Sequence, residues 1–288
     1  MGQLFALRAW PNTPASRSKI EDWNLVVTHL ATSSRNARLF PKIEKWRGEL
    51  LQPLFQTIND FHWTLASWLE GRPLSAESIS ESVRLQLVER LAILHRETDS
   101  VQTCTKSSLA IQERLHGLKA IASSPSNWKR SHPLEVRLRS TMRDIQNESP
   151  FWEKFLRIES LRDRKQHWIV RDLWRENLLV DEHFHLLSIV DLGASRVEWP
   201  VFDFVRLMGS LNATMKSWAN AYEVYQSFMP SSTLPELAVC VMLHRISTAI
   251  SIAYWNDKLN DETLQYLHPD RMLARMSELL DIWDNSET

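Results

Sequence analysis

The sequence predicts an α+β protein with a small antiparallel sheet in its first part and a large, mainly helical second part. Short segments of alternating apolar and polar residues, typical of strands, recur within residues 1–70. After Ser75 the apolar residues return mostly at helical spacing. Residues 168–193 interrupt that pattern with three short apolar runs, which predict a β-hairpin within the helical part. We therefore expect two lobes, residues 1–70 and 71–288.

The composition is that of an ordinary globular protein and gives no reason to expect a highly charged partner. The 288 residues carry a formal net charge of −1, so we expect neither a nucleic acid nor a membrane as partner. The two cysteines, Cys104 and Cys240, match no metal-binding or disulfide pattern. No signal peptide is visible, and no stretch approaches the length of a membrane span. We therefore expect a cytoplasmic protein, of unknown oligomeric state.

The first lobe alternates strand and helix patterns. Residues 4–10 alternate as a strand, and residues 16–30 carry apolar residues at helical spacing. Short strands are expected between residues 40 and 69, with a turn at Asn59-Asp60. The last of these strands runs into Glu70-Gly-Arg-Pro73, where Gly and Pro end the regular structure. This segment predicts the connection between the lobes.

The second lobe is expected to consist mainly of helices. Residues 83–98 place Leu87, Leu91 and Leu94 on one face. His95, on the same helix, is interpreted as a core histidine with satisfied hydrogen bonds and not as a proton shuttle. Further helices are expected over residues 111–121, 134–161, 215–229, 234–255 and 261–283, the second of them broken at Ser149-Pro150.

The most informative stretch is the predicted hairpin, which carries three oxygen-bearing side chains. Residues 168–181 read as an apolar strand, a polar loop and a second apolar strand, and residues 186–193 supply a third strand. The loop holds Asp172 and Asn177, and the third strand ends on Asp191. A short turn between the last two strands would fold Asn177 and Asp191 back beside each other.

These three side chains suit phosphoryl transfer. A hard cation such as Mg²⁺ prefers oxygen ligands and accompanies phosphates, and Asn177 and Asp191 can supply two of those oxygens. Asp172 is left free to orient a substrate hydroxyl and to accept its proton. The Asp-x4-Asn spacing, followed by an Asp and a Gly at a strand end, matches the catalytic-loop and metal-loop signatures of kinases.

Three motifs carry a resemblance to a known family. They are Val170-Arg-Asp-Leu-Trp-Arg-Glu-Asn177, Ile189-Val-Asp-Leu-Gly193 and Pro200-Val-Phe-Asp-Phe-Val205. In order and spacing they resemble the aminoglycoside phosphotransferase and choline kinase-like branch of the protein kinase-like superfamily. That family usually has His and Gly where this chain has Val170 and Arg171. The Arg-Asp pair is closer to the protein-kinase form of the loop.

The resemblance implies a protein kinase-like two-lobe fold that uses ATP, or another nucleoside triphosphate, with Mg²⁺. By that resemblance Asp172 is the catalytic base, and Asn177 and Asp191 hold the metal. Four further residues would serve the nucleotide. Arg8 would take the place of the phosphate-binding Lys, with Glu21 on the following helix holding it, and the backbone of Ser67 and Leu69 would contact adenine. Asp203 would tie down the catalytic loop by hydrogen bonds.

One expected feature is absent from the sequence, and it leaves alternatives open. Kinases carry a glycine-containing hairpin before the strand with the phosphate-binding cation, whereas this chain has only six glycines, none of them clustered. We therefore expect a truncated first lobe, for which two explanations stay open: a start codon that is placed too late, or a real loss of the hairpin. The chain is then either a small-molecule kinase acting on a hydroxyl acceptor or a catalytically impaired, kinase-like binding module. A scaffold that uses the tryptophan-rich helices is a third reading. The sequence does not identify the acceptor.

Overall fold

The computed structural model describes most of the chain. The described residues are 4–33, 38–44, 55–75, 79–99, 104–105, 107–123, 133–230, 234–260 and 269–285. The chain forms two compact units. Unit 1 comprises Met1–Cys104, Lys165–Leu211 and Asn220–Leu234, and unit 2 comprises Thr105–Arg164, Asn212–Ala219 and Pro235–Thr288. The lobe boundary near residue 70 stays a prediction.

A small antiparallel sheet and one helix form the N-terminal part of unit 1. The elements are β1 (Phe5–Pro11), α1 (Pro14–Ser33), β2 (Ile43–Glu44), β3 (Gln56–Ile58) and β4 (Phe61–Ser67). The central strand β4 pairs antiparallel with each of the other three strands. This confirms the predicted sheet.

Alternation along the strands decides which side of this sheet is buried. Trp10 on β1 and Thr64 on β4 lie on the inner face, and the indole Nε1 of Trp10 donates to Thr64 Oγ1 at 3.0 Å. The ring of Trp10 packs against Trp23 of α1, with 6.3 Å between ring centroids. Ile20 and Leu30 of the same helix are also buried. The predicted helical periodicity of this segment therefore reflects its packing on the sheet.

The turn between β3 and β4 matches the sequence signal. Asn59 and Asp60 have φ values of 49° and 62°, both in the left-handed region. Ile58 pairs directly with Phe61, so these two residues form a two-residue hairpin loop. Asn and Asp tolerate left-handed backbone better than other non-glycine residues, which is why this dipeptide closes the hairpin.

The remaining strands frame the predicted catalytic hairpin in unit 1. They are β5 (Arg72–Pro73), β6 (Cys104–Thr105), β7 (Lys165–Ile169), β8 (Leu178–Val180), β9 (Leu186–Ile189) and β10 (Arg196–Glu198). β8 pairs antiparallel with both β5 and β9, and β7 lies between β6 and β10. The predicted order of strand, polar loop, strand, turn and strand is confirmed.

Helices make up most of the rest of the described chain. They are α2 (Glu81–Thr98), α3 (Leu109–Ser123), α4 (Glu135–Ser160), α5 (Val201–Ser210), α6 (Met215–Phe228), α7 (Leu237–Asn260) and α8 (Pro269–Asn285). The predicted start of the last helix falls within residues 261–268, which lie outside the described residues. In unit 2, α3, α4, α7 and α8 pack against one another.

Two predictions about helices need correction. The predicted break at Ser149-Pro150 is absent, because α4 continues through Pro150. Trp152 and Leu156 beyond the proline are buried, so packing holds the second half of this helix in line. By length and composition alone, α7 is apolar enough to cross a membrane, contrary to our expectation for the sequence. It packs against three other helices of unit 2.

Candidate active site

The β8–β9 hairpin brings two of the predicted site residues to neighbouring positions. Leu178 pairs with Ile189, and the next residue on each strand extends the contact, because the Val190 amide donates to the Asn177 carbonyl at 2.9 Å. Asp191 directly follows Val190. Asn177 and Asp191 therefore leave the same end of the hairpin, as the sequence predicts.

The loop before β8 is fixed by its own backbone hydrogen bonds. The Asp172 carbonyl accepts from the Trp174 amide and from the side-chain Nδ2 of Asn177, each at 2.9 Å. This second bond orients the Asn177 amide group and leaves its Oδ1 available for a ligand. Within the part of the chain that the structure describes, the half-buried Asp172 carboxylate has no hydrogen-bond partner.

A buried carboxylate anchors the start of this loop. Asp203 Oδ1 accepts from the Arg171 amide at 2.5 Å, and Oδ2 accepts from the Val170 amide at 2.8 Å. His95 Nε2 lies 3.2 Å from the same Oδ2, and His95 Nδ1 lies 2.6 Å from the Tyr225 hydroxyl. The predicted structural roles of Asp203 and His95 are thus confirmed. The bonds also hold Arg171 at φ 67°, a conformation that favours glycine.

Arg8 from the N-terminal sheet reaches Asp191 at the end of the hairpin. Its Nη1 donates to Asp191 Oδ1 at 2.9 Å, and the side chains are 41% and 52% exposed. The guanidinium also stacks over the Trp10 ring, with Cζ 4.2 Å from the ring centroid. No other hydrogen bond of the Arg8 side chain occurs within the described residues, so most of its N–H donors remain available. Arg8 therefore stands where it can face an anionic ligand.

Glu21 does not hold Arg8, which corrects the sequence-based assignment. Its Oε1 accepts from Arg17 at 2.9 Å, one helical turn away on the exposed side of α1. Two positions along α1, Trp23 faces the sheet instead and packs on Trp10. Arg8 is thus held by the Trp10 ring and by the Asp191 carboxylate, and no described side chain of α1 pairs with it.

A cavity of about 400 Å³ lies beside this ion pair. Its lining is mainly apolar and includes both predicted adenine-contacting residues, Ser67 and Leu69, together with Arg8 and Asp191. The Ser67 amide already donates to the Lys42 carbonyl at 2.9 Å, so that amide is not free for a ligand. The size and the few polar groups are typical of a small-molecule site.

The donors at the hairpin end fit a hard divalent cation. Asn177 Oδ1 and the Asp191 carboxylate are oxygen ligands, and Asp191 is half exposed. Among the described residues, no group of three or more His, Cys, Asp or Glu side chains could hold a metal ion by itself. Two protein ligands supplemented by phosphate oxygens and water are the usual arrangement for Mg²⁺ beside a nucleotide.

Sequence reasoning missed two residues of the site, Trp10 and Gly193. Trp10 lies two positions after Arg8, so the strand period of two places both side chains on one face. Gly193 was noticed only as part of a motif, although the structure puts it against the Arg8 guanidinium. The first contact could have been found from strand alternation. The contact between Gly193 and Arg8 joins two residues that are far apart in sequence, so no local pattern predicts it.

Known structures share this fold at low sequence identity. The chain is similar to spectinomycin phosphotransferase APH(9)-Ia in complex with ADP and spectinomycin, with a TM-score of 0.63, 10% identity, and coverage of 99% of this chain and 86% of that one. For the amicoumacin kinase hAmiN, in complex with AMP-PNP, Ca²⁺ and Ami, the TM-score is 0.62 and the identity 11%, covering 98% and 82%. For choline kinase LicA from Streptococcus pneumoniae the TM-score is 0.53 and the identity 12%, with coverage of 96% of this chain and 86% of that one.

These likenesses establish the protein kinase-like fold. No curated protein matches the chain by sequence. The sequence model of the phosphotransferase enzyme family (APH) matches residues 32–231, which is more than half of the chain and includes the catalytic loop, the hairpin and Asp203. The chain therefore belongs to the phosphotransferase enzyme family.

Proposed function

We propose that this chain transfers the γ-phosphoryl group of ATP to the hydroxyl of a small molecule, with Mg²⁺ as cofactor. The observation that carries the proposal is the arrangement around the hairpin. The Asp172 carboxylate, which has no hydrogen-bond partner among the described residues, lies in the same loop as Asn177, while Asn177 and Asp191 leave one hairpin end together. A base and a pair of oxygen ligands are the groups that phosphoryl transfer requires from a protein.

The nucleotide is assigned to the cavity beside Arg8. The apolar lining suits a flat base, and the backbone near Leu69 supplies polar groups at its edge. Arg8 lines the same cavity with N–H donors to spare, and a guanidinium binds phosphate oxygens through paired hydrogen bonds. The solved relatives named above include complexes with ADP and with AMP-PNP, which supports a nucleotide at this position.

Asn177 and Asp191 are proposed to hold the cation. When bound, Mg²⁺ would offset negative charge on the phosphates during transfer. Asp191 would then exchange its Arg8 contact, wholly or in part, for the cation. Arg8, freed from that carboxylate, is positioned to engage phosphate.

Asp172 is proposed to act on the acceptor. Its carboxylate would accept a hydrogen bond from the acceptor hydroxyl and take its proton as that oxygen bonds to the γ-phosphorus. The bond between the γ-phosphorus and the bridging oxygen breaks, and ADP leaves. The loop is fixed by the hydrogen bonds that Asp203 accepts from two loop amides and by the one that Asn177 donates, so Asp172 is held in place before the acceptor arrives.

The test is an assay of phosphoryl transfer from ATP to a panel of hydroxyl compounds, including spectinomycin and choline. The ADP that is released measures the reaction. For an acceptor that is used, we expect Asp172→Asn to lower kcat by about 10²–10⁴-fold while ATP affinity stays within about twofold. Glu182→Gln is the matched control, because it makes the same carboxylate-to-amide change at an exposed position of the hairpin turn. Asp172→Asn with the parental kcat would contradict the assignment of the base.

A further inference from the structure

The guanidinium of Arg8 lies directly against Gly193. A Cβ added to Gly193 would lie 2.3 Å from Nη2 and 3.0 Å from Cζ of Arg8, well inside normal contact distance. The Trp10 ring and the Asp191 carboxylate contact the same guanidinium. We call these three residues, Trp10, Asp191 and Gly193, the guanidinium slot.

Backbone geometry does not explain the glycine. Gly193 lies in the short 3₁₀ turn Leu192–Ala194, and its φ is outside the left-handed region, where side chains are disfavoured. The neighbouring Asp191, by contrast, does adopt a left-handed conformation, with φ 58° and ψ 58°. An alanine could therefore adopt the backbone of residue 193. The contact that requires a missing side chain there is the one with Arg8.

The guanidinium slot holds Arg8 in place of the carboxylate that was expected on helix α1. Glu21 is engaged with Arg17, and the inward position of α1 is filled by Trp23. Trp10 is held rigidly between Trp23 and Thr64, so its ring is a fixed surface for the guanidinium. An arginine fits such a slot because its planar group stacks on an aromatic face, whereas a lysine ammonium has no flat surface to stack.

We propose that Gly193 is a positioning residue that matches this site to arginine at position 8. A methyl group on residue 193 displaces the guanidinium from its place on the Trp10 ring, and so from its phosphate-facing position. The same methyl disturbs a lysine at position 8 less, because lysine lacks Nη2, the arginine atom that comes closest to the added methyl. This inference rests on the proposed function, in which Arg8 meets the nucleotide phosphates.

A double-mutant cycle tests the proposal. Gly193→Ala, Arg8→Lys and the double variant are compared with the parent by calorimetric titration with ATP and MgCl₂. We expect Gly193→Ala to weaken ATP binding about tenfold in the parent and less than about twofold in the Arg8→Lys background. AMP, which lacks the outer phosphates, should bind to Gly193→Ala and to the parent alike. Gly117→Ala adds the same methyl in α3, against Ile250, and should leave ATP binding unchanged.

The outcomes separate this inference from the proposed function. An equal loss of ATP affinity in both backgrounds, or no loss in either, would overturn the role of Gly193 while leaving the nucleotide site intact. A loss for AMP as large as that for ATP would mean that the methyl damages the cavity as a whole, which also overturns it. A parent that does not bind ATP would contradict the proposed function itself and remove the basis of the inference. If only the single Gly193→Ala variant failed to fold and the double variant folded, that result would support the same coupling.

Discussion

At the scale of single residues, Asp203 shows how a buried charge can serve a catalytic loop without taking part in chemistry. Its carboxylate is fully buried and accepts from two loop amides and from His95. A buried carboxylate is costly to desolvate unless its oxygens are fully hydrogen-bonded, and here three donors meet that requirement. The loop amides are satisfied by the same contact, so loop and carboxylate stabilise each other.

Removing this carboxylate should destabilise the protein strongly. Asp203→Ala leaves one buried amide, one partly buried amide and one imidazole N–H without an acceptor, and we expect the free energy of unfolding to fall by about 3 kcal/mol. Asp203→Asn keeps one acceptor oxygen and should cost less. Urea unfolding measures both changes. Asp144→Ala, at an exposed position of α4, is the control and should change stability by less than about 0.5 kcal/mol. A similarly small change in stability for Asp203→Ala would contradict the stabilising role of the hydrogen bonds between Asp203 and the loop.

His167 makes stability depend on pH. Burial, with a smaller contribution from neighbouring His95, lowers the pKa of His167 from 6.5 to about 4. Below pH 6.5, His167 therefore binds a proton in the unfolded chain but stays neutral in the folded chain. Stability falls as the pH drops from 6.5 towards 4. Between pH 7.5 and pH 5 we expect the parent to lose about 2 kcal/mol from this group. Urea unfolding of the parent and of His167→Gln at both pH values measures this loss of stability. An equal loss in the two proteins would contradict the assignment of the pH dependence to His167.

Site residues differ in how far the sequence alone could place them. Asp172, Asn177 and Asp191 lie within one local hairpin, so their proximity follows from strand pairing between near neighbours. The assignment of Glu21 as the partner of Arg8 was wrong. Positions two residues apart on a helix differ by about 200° around its axis, and the sequence did not show that Trp23 faces the sheet. Ser67 lines the cavity, and the contact of its backbone with adenine stays a prediction.

At the scale of elements, the hairpin turn decides whether Asn177 and Asp191 stay together. The Asp181 carboxylate closes that turn. Its Oδ1 accepts from the amides of His183 and His185 at 2.8 and 2.9 Å. An aspartate that bonds to the backbone two residues on is a common way to fix a turn, and this one fixes the register of β8 with β9.

We expect Asp181→Ala to loosen this hairpin while the fold survives. Two amide hydrogen bonds are lost at an exposed turn, so the free energy of unfolding should fall by about 1 kcal/mol. Hydrogen exchange of amides in β8 and β9 should quicken, whereas that of α8 amides in unit 2 should not change. Asp181→Asn retains a carbonyl acceptor, so its stability and its exchange rates should lie between those of the parent and those of Asp181→Ala. Unchanged exchange in β8 and β9 would show that the turn does not control the hairpin.

The elements themselves were predictable to different degrees. The β3–β4 turn and the helix that became α1 follow from local signals, namely Asn59-Asp60 and apolar spacing. Helix α4 did not, because Pro150 predicts a break by local rules, whereas burial of Trp152 and Leu156 keeps the helix continuous. Tertiary packing overrode the local preference at that position.

At the scale of the whole molecule, every predicted site residue belongs to unit 1 although the sequence separates them widely. Arg8 and Asp191 are 183 positions apart and are joined by a 2.9 Å ion pair. Spacing rules cannot supply such a pairing, and the resemblance to a kinase-like family placed both residues in one site but paired Arg8 with Glu21. The match of the phosphotransferase family to residues 32–231 and the likeness to solved kinases now place those motifs in a common fold.

The most direct test of the account is the Mg²⁺-dependent stabilisation of the folded chain by ATP. At ATP concentrations of about 100 times Kd, binding should raise the free energy of unfolding by about 2.7 kcal/mol, seen as a higher Tm. The account predicts this shift for the parent with Mg²⁺, a smaller one when EDTA removes the cation, and little Mg²⁺-dependent shift for Asp191→Ala. Equal Mg²⁺-dependent shifts in parent and Asp191→Ala, or none in the parent, would contradict it.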